Sequence, residues 1–283
     1  MRRPLIAVAA LTLAAASARA QEPILLRISG TPGQANHYQM VMETFVRGGP
    51  MAAMMSSDTT LPMTRMTMLT TRTLTGTSGD TLAFQEVVDS VRMESPAMPQ
   101  MAAMMGGAAA MLRGQTTATR MDARGRIFST EVTGGMAGAM GAGGPGGMGG
   151  QGGRGGRGGM MGGGRRQAMP FILPAQPVRP GDTWSDSTTV AGNTPDEPTT
   201  TMQGTFKLDR VDQRAGSRVA VITWTGTMTT TGPQGPQVMN VVGEIGVDMT
   251  AHRLASMNMT MTGIVQSPQG EIPMKVQMTQ ALM

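Results

Sequence analysis

The chain lacks cysteine altogether, which excludes disulfides, thiolate nucleophiles and thiolate metal ligands at once. Aromatic residues make up only 3% of the 283 residues, and charged residues only 14%. Such a protein has no covalent cross-links and must be held together by its hydrophobic core. The length is sufficient for one large β domain or two small ones.

Signals for catalysis are scarce as well. Only two histidines occur, and both fall where a strand start or a hairpin turn is predicted, which favours structural roles: His37 and His252. The chain has no Gly-x-Ser-x-Gly motif and no glycine loop that joins a strand to a phosphate-binding helix. Asp122, Asp182 and Asp248 fall in predicted turns, where carboxylates cap backbone N–H groups. The sequence therefore predicts a protein that is not an enzyme and needs no cofactor.

The N-terminal twenty residues have the organisation of an export signal. Residues 1–3 are basic at two positions, and residues 5–16 form an apolar stretch too short to span a bilayer. Ala18 and Ala20 supply the small side chains for cleavage before Gln21. The sequence predicts a periplasmic or secreted protein, with envelope association left open. A retained N-terminal anchor is the alternative interpretation.

The charge balance after cleavage argues against a nucleic-acid partner. Loss of the three signal-peptide arginines leaves 20 basic and 18 acidic residues. Four of the remaining arginines lie in a glycine-rich tract without acidic residues: Arg154, Arg157, Arg165 and Arg166. The rest of the chain has no basic excess, so it offers no general nucleic-acid surface.

Alternating apolar and polar residues predict antiparallel strands through most of the chain. Residues 81–94 are an example, since Leu82, Phe84 and Val88 alternate with polar or smaller residues after the Gly79-Asp80 turn. The fold class predicted is mainly β: an antiparallel curved sheet or half-barrel with one short apolar helix. The predicted strands cover residues 24–28, 37–47, 61–76, 81–94, 115–133 (a hairpin), 202–211, 218–229, 238–248, 253–265 and 273–282.

One helix is predicted at about residues 96–113. Ser95 is a suitable N-cap, Pro96 fits the first helical position, and Gly114 follows the last turn. Residues 97–112 carry no charge, so the helix is expected to cover the concave face of the sheet. Gly106-Gly107 predicts a kink in its middle.

A glycine-rich tract separates the two groups of predicted strands. Residues 134–164 contain 19 glycines, a composition that cannot bury a core, and residues 134–167 are predicted to be a disordered loop. Residues 21–133 and 168–283 are then two parts of one β domain. Residues 171–184 follow the loop as a proline-rich strap that ends in the Gly181-Asp182 turn and Trp184.

The strap also carries a family resemblance. Together with residues 204–208 and 243–248, it resembles an exported bacterial family of unknown function with a LolA/LolB-like half-barrel. The resemblance implies an antiparallel sheet curled around an apolar cavity with helical cover. It rests on Leu173-Pro174, Pro177-Val178, Pro180-Gly181-Asp182 and Trp184.

Methionine is unusually abundant, with 32 residues, and one pentapeptide, Met-Ala-Ala-Met-Met, occurs at residues 51–55 and again at 101–105. Thioethers are soft ligands that suit Cu(I), which suggests a copper site. Methionine also fills irregular apolar space and adapts to varied ligands. The candidate copper ligands are Met51, Met54, Met55, Met101, Met104 and Met105.

The sequence therefore predicts an exported protein that binds an apolar ligand, a lipid or an acyl chain, in the concave face of its sheet. A periplasmic copper-binding protein is one alternative, and a structural envelope-interaction protein with a filled core is the other. The oligomeric state is left open. The candidate cavity residues are Trp184, Trp224, Met101, Met104, Leu112, Met257, Met259 and Met261.

Overall fold

The computed structural model describes residues 22–48, 58–101, 107, 109–133, 171–190, 199–214, 216–232, 235–267 and 270–283. The predicted export signal, the first methionine pentapeptide and the glycine-rich loop lie outside these residues, so they stay predictions. Within the described residues, no helix combines the length and the hydropathy needed to cross a membrane.

Eleven strands make up most of the described chain. They are β1 (Ala35–Val46), β2 (Thr64–Ser78), β3 (Thr81–Glu94), β4 (Thr116–Asp122), β5 (Ile127–Thr133), β6 (Thr183–Val190), β7 (Thr199–Arg214), β8 (Ser217–Gly232), β9 (Gly235–Asp248), β10 (Arg253–Ser267) and β11 (Gly270–Leu282).

All eleven strands belong to one antiparallel sheet in the order β5-β4-β3-β2-β1-β11-β10-β9-β8-β7-β6. Every neighbour in this order is also a neighbour in sequence except the pair β1 and β11, which joins the two ends of the chain. The sheet curls into a nearly closed barrel in which β5 and β6 are the unpaired edges. The predicted mainly β, antiparallel curved sheet is confirmed.

Side chains alternate between a buried inner face and an outer face that carries many threonines, although Val219 and Val221 are buried on the outer face of β8. On β8, Ala220, Ile222 and Trp224 are buried inside the barrel, whereas Thr223 and Thr225 lie on the opposite face. Threonine is β-branched and polar, so it suits the outer surface of a strand. The outer face is not uniformly polar, because Val238, Val242 and Ile264 are also exposed on it.

Two segments without regular structure fill one end of the barrel, which we call the closed end. Leu26 and Ile28 are 1% and 4% exposed, and Phe171 and Leu173 are 1% and 0% exposed. The Ile28 amide donates to the Ala123 carbonyl at 2.7 Å. The two segments also pair with each other, since Ile24 and Val178 exchange backbone hydrogen bonds of 2.8 and 2.9 Å. The strand predicted at residues 24–28 is wrong, because this pairing is a single isolated bridge.

The strap ties the two unpaired edges together at the closed end. The Leu173 amide donates to the Arg124 carbonyl in the β4–β5 turn at 2.8 Å. On the other side, the Trp184 indole N–H donates to the Ile172 carbonyl at 2.8 Å. Two arginines of that turn also reach Asp186 on β6, Arg124 at 2.8 Å and Arg126 at 3.1 Å. These contacts hold β5 and β6 close to each other where no strand pairing does.

The opposite end is partly covered by the segments around Met63 and Met98. The Ala97 amide donates to the Pro62 carbonyl at 3.1 Å, and Met98 is 1% exposed in a small cluster with Val46, Met63 and Ile272.

The single helix predicted at residues 96–113 is not what the described residues show. They contain a 3₁₀ turn at Pro99–Met101 and a short helical turn that ends before Gly114. The Ser95 hydroxyl does not cap a helix, because it donates to the Met63 carbonyl at 2.7 Å. The predicted Gly106-Gly107 kink involves a residue outside the described part.

Candidate functional site

The barrel interior is the candidate site, because the space that a barrel encloses grows with the number of its strands. A closed barrel of about eight strands is just wide enough for side chains to fill it, and the diameter grows with strand number. At the closed end, the additional space is taken by residues 24–28 and 171–173. Towards the other end, the inner wall consists largely of methionine.

Three stacked aromatic rings form one side of the inner wall. Trp184 of β6, Phe206 of β7 and Trp224 of β8 are direct partners in the strand register. Consecutive ring centroids are 5.7 Å apart, and the ring planes differ by 15° in both pairs. Trp224 is 2% exposed and Phe206 is 4% exposed, so this ladder is a rigid part of the core.

Methionines continue the same row around the barrel. The direct partner of Trp224 is Gly243 of β9. Beyond it, the residue in the same row is a methionine on each of β10, β11, β1, β2 and β3. Residues directly opposite in a sheet have Cβ atoms about 4.5–5.5 Å apart, so neighbouring members of the row are in contact range. The methionine part of the row is Met259, Met278, Met42, Met66 and Met93.

Burial changes along this row. Met259 and Met278 are 4% and 0% exposed, whereas Met42, Met66 and Met93 are partly exposed. The next layer towards the closed end includes Met40 and its direct partner Met68, and both are partly exposed too. We call these five partly exposed inner side chains the methionine chamber: Met40, Met42, Met66, Met68 and Met93.

Polar side chains form the base of the methionine chamber, on the side of the closed end. Thr70 and Arg72 follow Met68 on the inner face of β2 and are 3% and 6% exposed. Tyr38, the direct partner of Thr70, is 3% exposed, and its hydroxyl donates to the Leu254 carbonyl at 3.2 Å. Glu86 of β3 is the direct partner of Arg72 and is partly exposed.

Arg72 is the most deeply buried charge of this base. Its guanidinium carbon lies 4.5 Å from the centroid of the Phe84 ring, and Nη2 lies 3.8 Å from the Met121 sulfur. Burial lowers the pKa of the Arg72 guanidinium, although Glu86 acts in the opposite direction. Burial likewise raises the pKa of Tyr38 above its usual 10.0, while the charges of Arg72 and Arg253 lower it. Nearby charges and burial thus oppose each other at both Arg72 and Tyr38.

The structure brings together four of the predicted cavity residues in one core. Trp224, Met257, Met259 and Met261 are all buried inside the barrel, and Trp184 packs against them while remaining partly exposed. Leu112 lies in the short helical turn before β4 and is partly exposed.

The remaining predicted residues are not placed by side chain. Met101 belongs to the 3₁₀ turn, but the structure does not describe its side chain. The other predicted copper ligands lie outside the described residues: Met51, Met54, Met55, Met104 and Met105. The copper hypothesis therefore stays a prediction. The described residues contain no group of three or more histidine, cysteine, aspartate or glutamate side chains that could hold a metal ion.

The histidines and turn aspartates occupy the positions predicted for them. His37 is exposed on β1, with Nδ1 2.9 Å from the Thr71 hydroxyl, and His252 is exposed in the β9–β10 turn. One Oδ1 atom of Asp248 accepts from two backbone amides of its turn at 2.9 Å, and Asp122 does the same in the β4–β5 turn. Capping thus accounts for these carboxylates.

Sequence reasoning missed the polar base of the chamber. Arg72 follows the same two-residue alternation as Met66, Met68 and Thr70, and this pattern predicts that its side chain points to the inner face of the strand. That signal is obscured because β2 also carries Arg65 and several threonines, so neither face is clearly apolar from sequence alone.

The chain was also compared with known proteins. No family model matches it, and no curated protein and no solved structure shows significant similarity to it. The resemblance to the LolA/LolB-like family therefore stays a prediction.

Proposed function

We propose that the protein binds an apolar ligand, such as a lipid or an acyl chain, inside its barrel. The observation that carries the proposal is the partial exposure of the methionine chamber on the inner face of the barrel. Solvent-accessible apolar surface inside a barrel is what a ligand would cover. The predicted export signal would place this binding in the periplasm or outside the cell.

The chamber side chains suit ligands of variable shape. Methionine is unbranched, has three rotatable bonds and carries a polarizable sulfur, so it adapts to different apolar partners. The aromatic ladder supplies a rigid wall, because its three rings are stacked and two of them, Phe206 and Trp224, are buried. A rigid wall together with an adaptable one favours a class of apolar chains over one defined molecule.

Binding of a neutral apolar dye tests the proposal. We expect N-phenyl-1-naphthylamine to bind the folded protein saturably, with one site per chain, and to be displaced by 1-dodecanol. Met68→Trp should weaken dye binding at least tenfold, because the larger side chain fills the chamber. Met111→Trp is the matched control, since Met111 is 53% exposed outside the chamber. Absence of saturable binding to the folded protein would reject the proposal.

The copper alternative has its own test. Anaerobic titration with Cu(I) should show a site that disappears when methionines of both pentapeptides are replaced by leucine. An unchanged affinity in that variant would reject copper binding by these residues. The variant replaces Met54, Met55, Met104 and Met105.

A further inference from the structure

Four of the chamber methionines form a compact group on two neighbouring strands. Met42 of β1 and Met66 of β2 are direct partners in the strand register, and Met40 and Met68 are the next such pair on the inner face. Direct partners have Cβ atoms about 4.5–5.5 Å apart and diagonal neighbours about 7–8 Å, so each Cβ atom lies within about 4 Å of the centre of the group. We call these four residues the methionine block.

The sulfur atoms of the block are able to reach one common point. Each sulfur is two bonds beyond its Cβ atom, and the three rotatable bonds of methionine let it turn in several directions. Inward side chains of neighbouring strands also lean towards each other, because the sheet is curled with this face inside. Three or four thioethers can therefore meet above the centre of the block.

Uncharged residues surround the block on the inner face. Towards the closed end, Tyr38 and Thr70 form a buried pair that separates the block from Arg72. On the other side, Thr44 and Thr64 are the next direct partners. The donors that the block itself offers are therefore thioether sulfurs alone.

These donors determine which ion the block suits. Thioethers are soft ligands, which select Cu(I) and similar ions over the hard divalent cations that prefer carboxylate and water. A monovalent ion also brings the smallest charge into a largely apolar space, where charge is costly. All four side chains are partly exposed, so a small solute reaches them. Within the described ranges, no group of three or more histidine, cysteine, aspartate or glutamate side chains provides a competing metal site.

Packing alone does not require sulfur at these positions. Met259 and Met278 lie in the same row as Met42 and Met66 but are 4% and 0% exposed, so they serve to fill the core. Leucine and methionine have similar volumes and replace each other in cores at little cost. Four adjacent methionines that solvent reaches are better explained by a property of the sulfur atom.

We propose that the methionine block binds a soft monovalent cation, of the class of Cu(I) and Ag(I), through its thioether sulfurs. This inference goes beyond the proposed function, because it assigns a second class of ligand to the chamber. It also differs from the copper hypothesis for the two pentapeptides, whose methionines do not belong to the block. The ion is held by coordination, so no bond is broken and no electron is transferred.

Calorimetric titration with silver nitrate tests the inference, because Ag(I) is soft and needs no reductant. The folded full chain in chloride-free buffer should bind Ag(I) saturably. Replacing all four block methionines by leucine keeps the volume and the apolar character of the chamber. We expect this block variant to bind Ag(I) at least about tenfold more weakly, since even the loss of groups that only support metal ligands costs about 10- to 100-fold in affinity.

The matched control combines Met111→Leu and Met283→Leu, because these methionines are 53% and 65% exposed outside the chamber. It should leave Ag(I) affinity unchanged. Absence of saturable Ag(I) binding, or equal affinity of the block variant and the original chain, would overturn the inference. Loss of the site on replacing the pentapeptide methionines, with the block intact, would assign the ion to the pentapeptides and would overturn it too.

Single variants cover the case in which the block variant does not fold. Met66→Leu and Met68→Leu should each weaken Ag(I) binding several-fold, and unchanged affinity in both would overturn the inference. Binding of N-phenyl-1-naphthylamine separates this inference from the proposed function, because leucine leaves the chamber apolar and the folded variants should still bind the dye. Dye binding without Ag(I) binding would overturn only this inference, whereas Ag(I) binding without dye binding would reject only the proposed function.

Discussion

Gly204 of β7 lies against the indole of Trp224, and this close contact gives a sharp test of the inner packing. A Cβ atom at position 204 would lie 2.0 Å from the Trp224 indole nitrogen and 2.7 Å from its Cδ1 atom. The indole cannot easily move away, because the ring stacks on Phe206 and is 2% exposed. We therefore expect Gly204→Ala to displace the ring or to separate β7 from β8.

The expected destabilisation follows from two opposing effects. Replacing glycine by alanine in a strand lowers the entropy of the unfolded chain and by itself stabilises a protein by about 0.4–1 kcal/mol. Overpacking a well-filled core costs about 1–3 kcal/mol, and more where the neighbours cannot give way. The second effect dominates at an overlap of this depth, so the free energy of unfolding should fall by about 1–3 kcal/mol.

Urea unfolding monitored by tryptophan fluorescence measures this change. Gly76→Ala on β2 is the matched control, because a Cβ atom there would have no heavy atom within 4 Å and should be neutral or slightly stabilising. Combining Gly204→Ala with Trp224→Leu removes the overlapping ring, so the two substitutions should be clearly non-additive. Equal stability of Gly204→Ala and Gly76→Ala would refute the close approach of Gly204 to the ring.

Three further predictions concern the closed end and the base of the chamber. Asp186→Asn should lower the free energy of unfolding by about 1–2 kcal/mol, because it weakens the contacts to Arg124 and Arg126. Asp209→Asn, in a surface ion-pair group, should change the free energy of unfolding by less than about 0.5 kcal/mol. Equal effects of the two substitutions in urea unfolding would contradict the stabilising contact between β6 and the β4–β5 turn. Trp184→Ala should cost near the lower end of about 3–5 kcal/mol, since the ring is stacked but partly exposed, and an unchanged melting temperature would contradict its placement. Burial raises the pKa of Tyr38, so the stability that the neutral phenol confers is complete below pH 10.0 and is lost as the pH rises through the raised pKa. Tyr38→Phe should therefore flatten the fall in melting temperature above about pH 10. A parallel fall in melting temperature in both proteins would contradict the raised pKa.

Local sequence patterns predict most strands well because turn residues and alternation act over short distances. β3 has the predicted bounds, Thr81–Glu94, and it follows the predicted Gly79-Asp80 turn. β6 was missed because only Trp184 and Val190 are apolar among its inward positions, so Thr183–Val190 shows no clear alternation. The helix prediction failed at its start because the Ser95 hydroxyl bonds to Met63, a residue 32 positions away.

The closure of the sheet could not be predicted from sequence, because the pairing of β1 with β11 joins Tyr38 to Leu282 and has no local signal. The same limit applies to the chamber. Its methionines fall within predicted strands, but their exposure depends on how many strands enclose them. Arg72 is likewise an ordinary strand arginine until the register places it opposite Glu86 and inside the barrel.

The strap, residues 171–184, connects the architecture to the chamber. Because β5 and β6 do not pair, the barrel would be open along its whole length without Leu173, Trp184 and the contacts of Asp186. Those contacts all lie at the closed end, where residues 24–28 and 171–173 fill the interior. Closing one end by chain segments, instead of by a narrower barrel, keeps the diameter of eleven strands at the other end. The width of the barrel therefore explains both why chain segments fill its closed end and why the methionine chamber remains accessible.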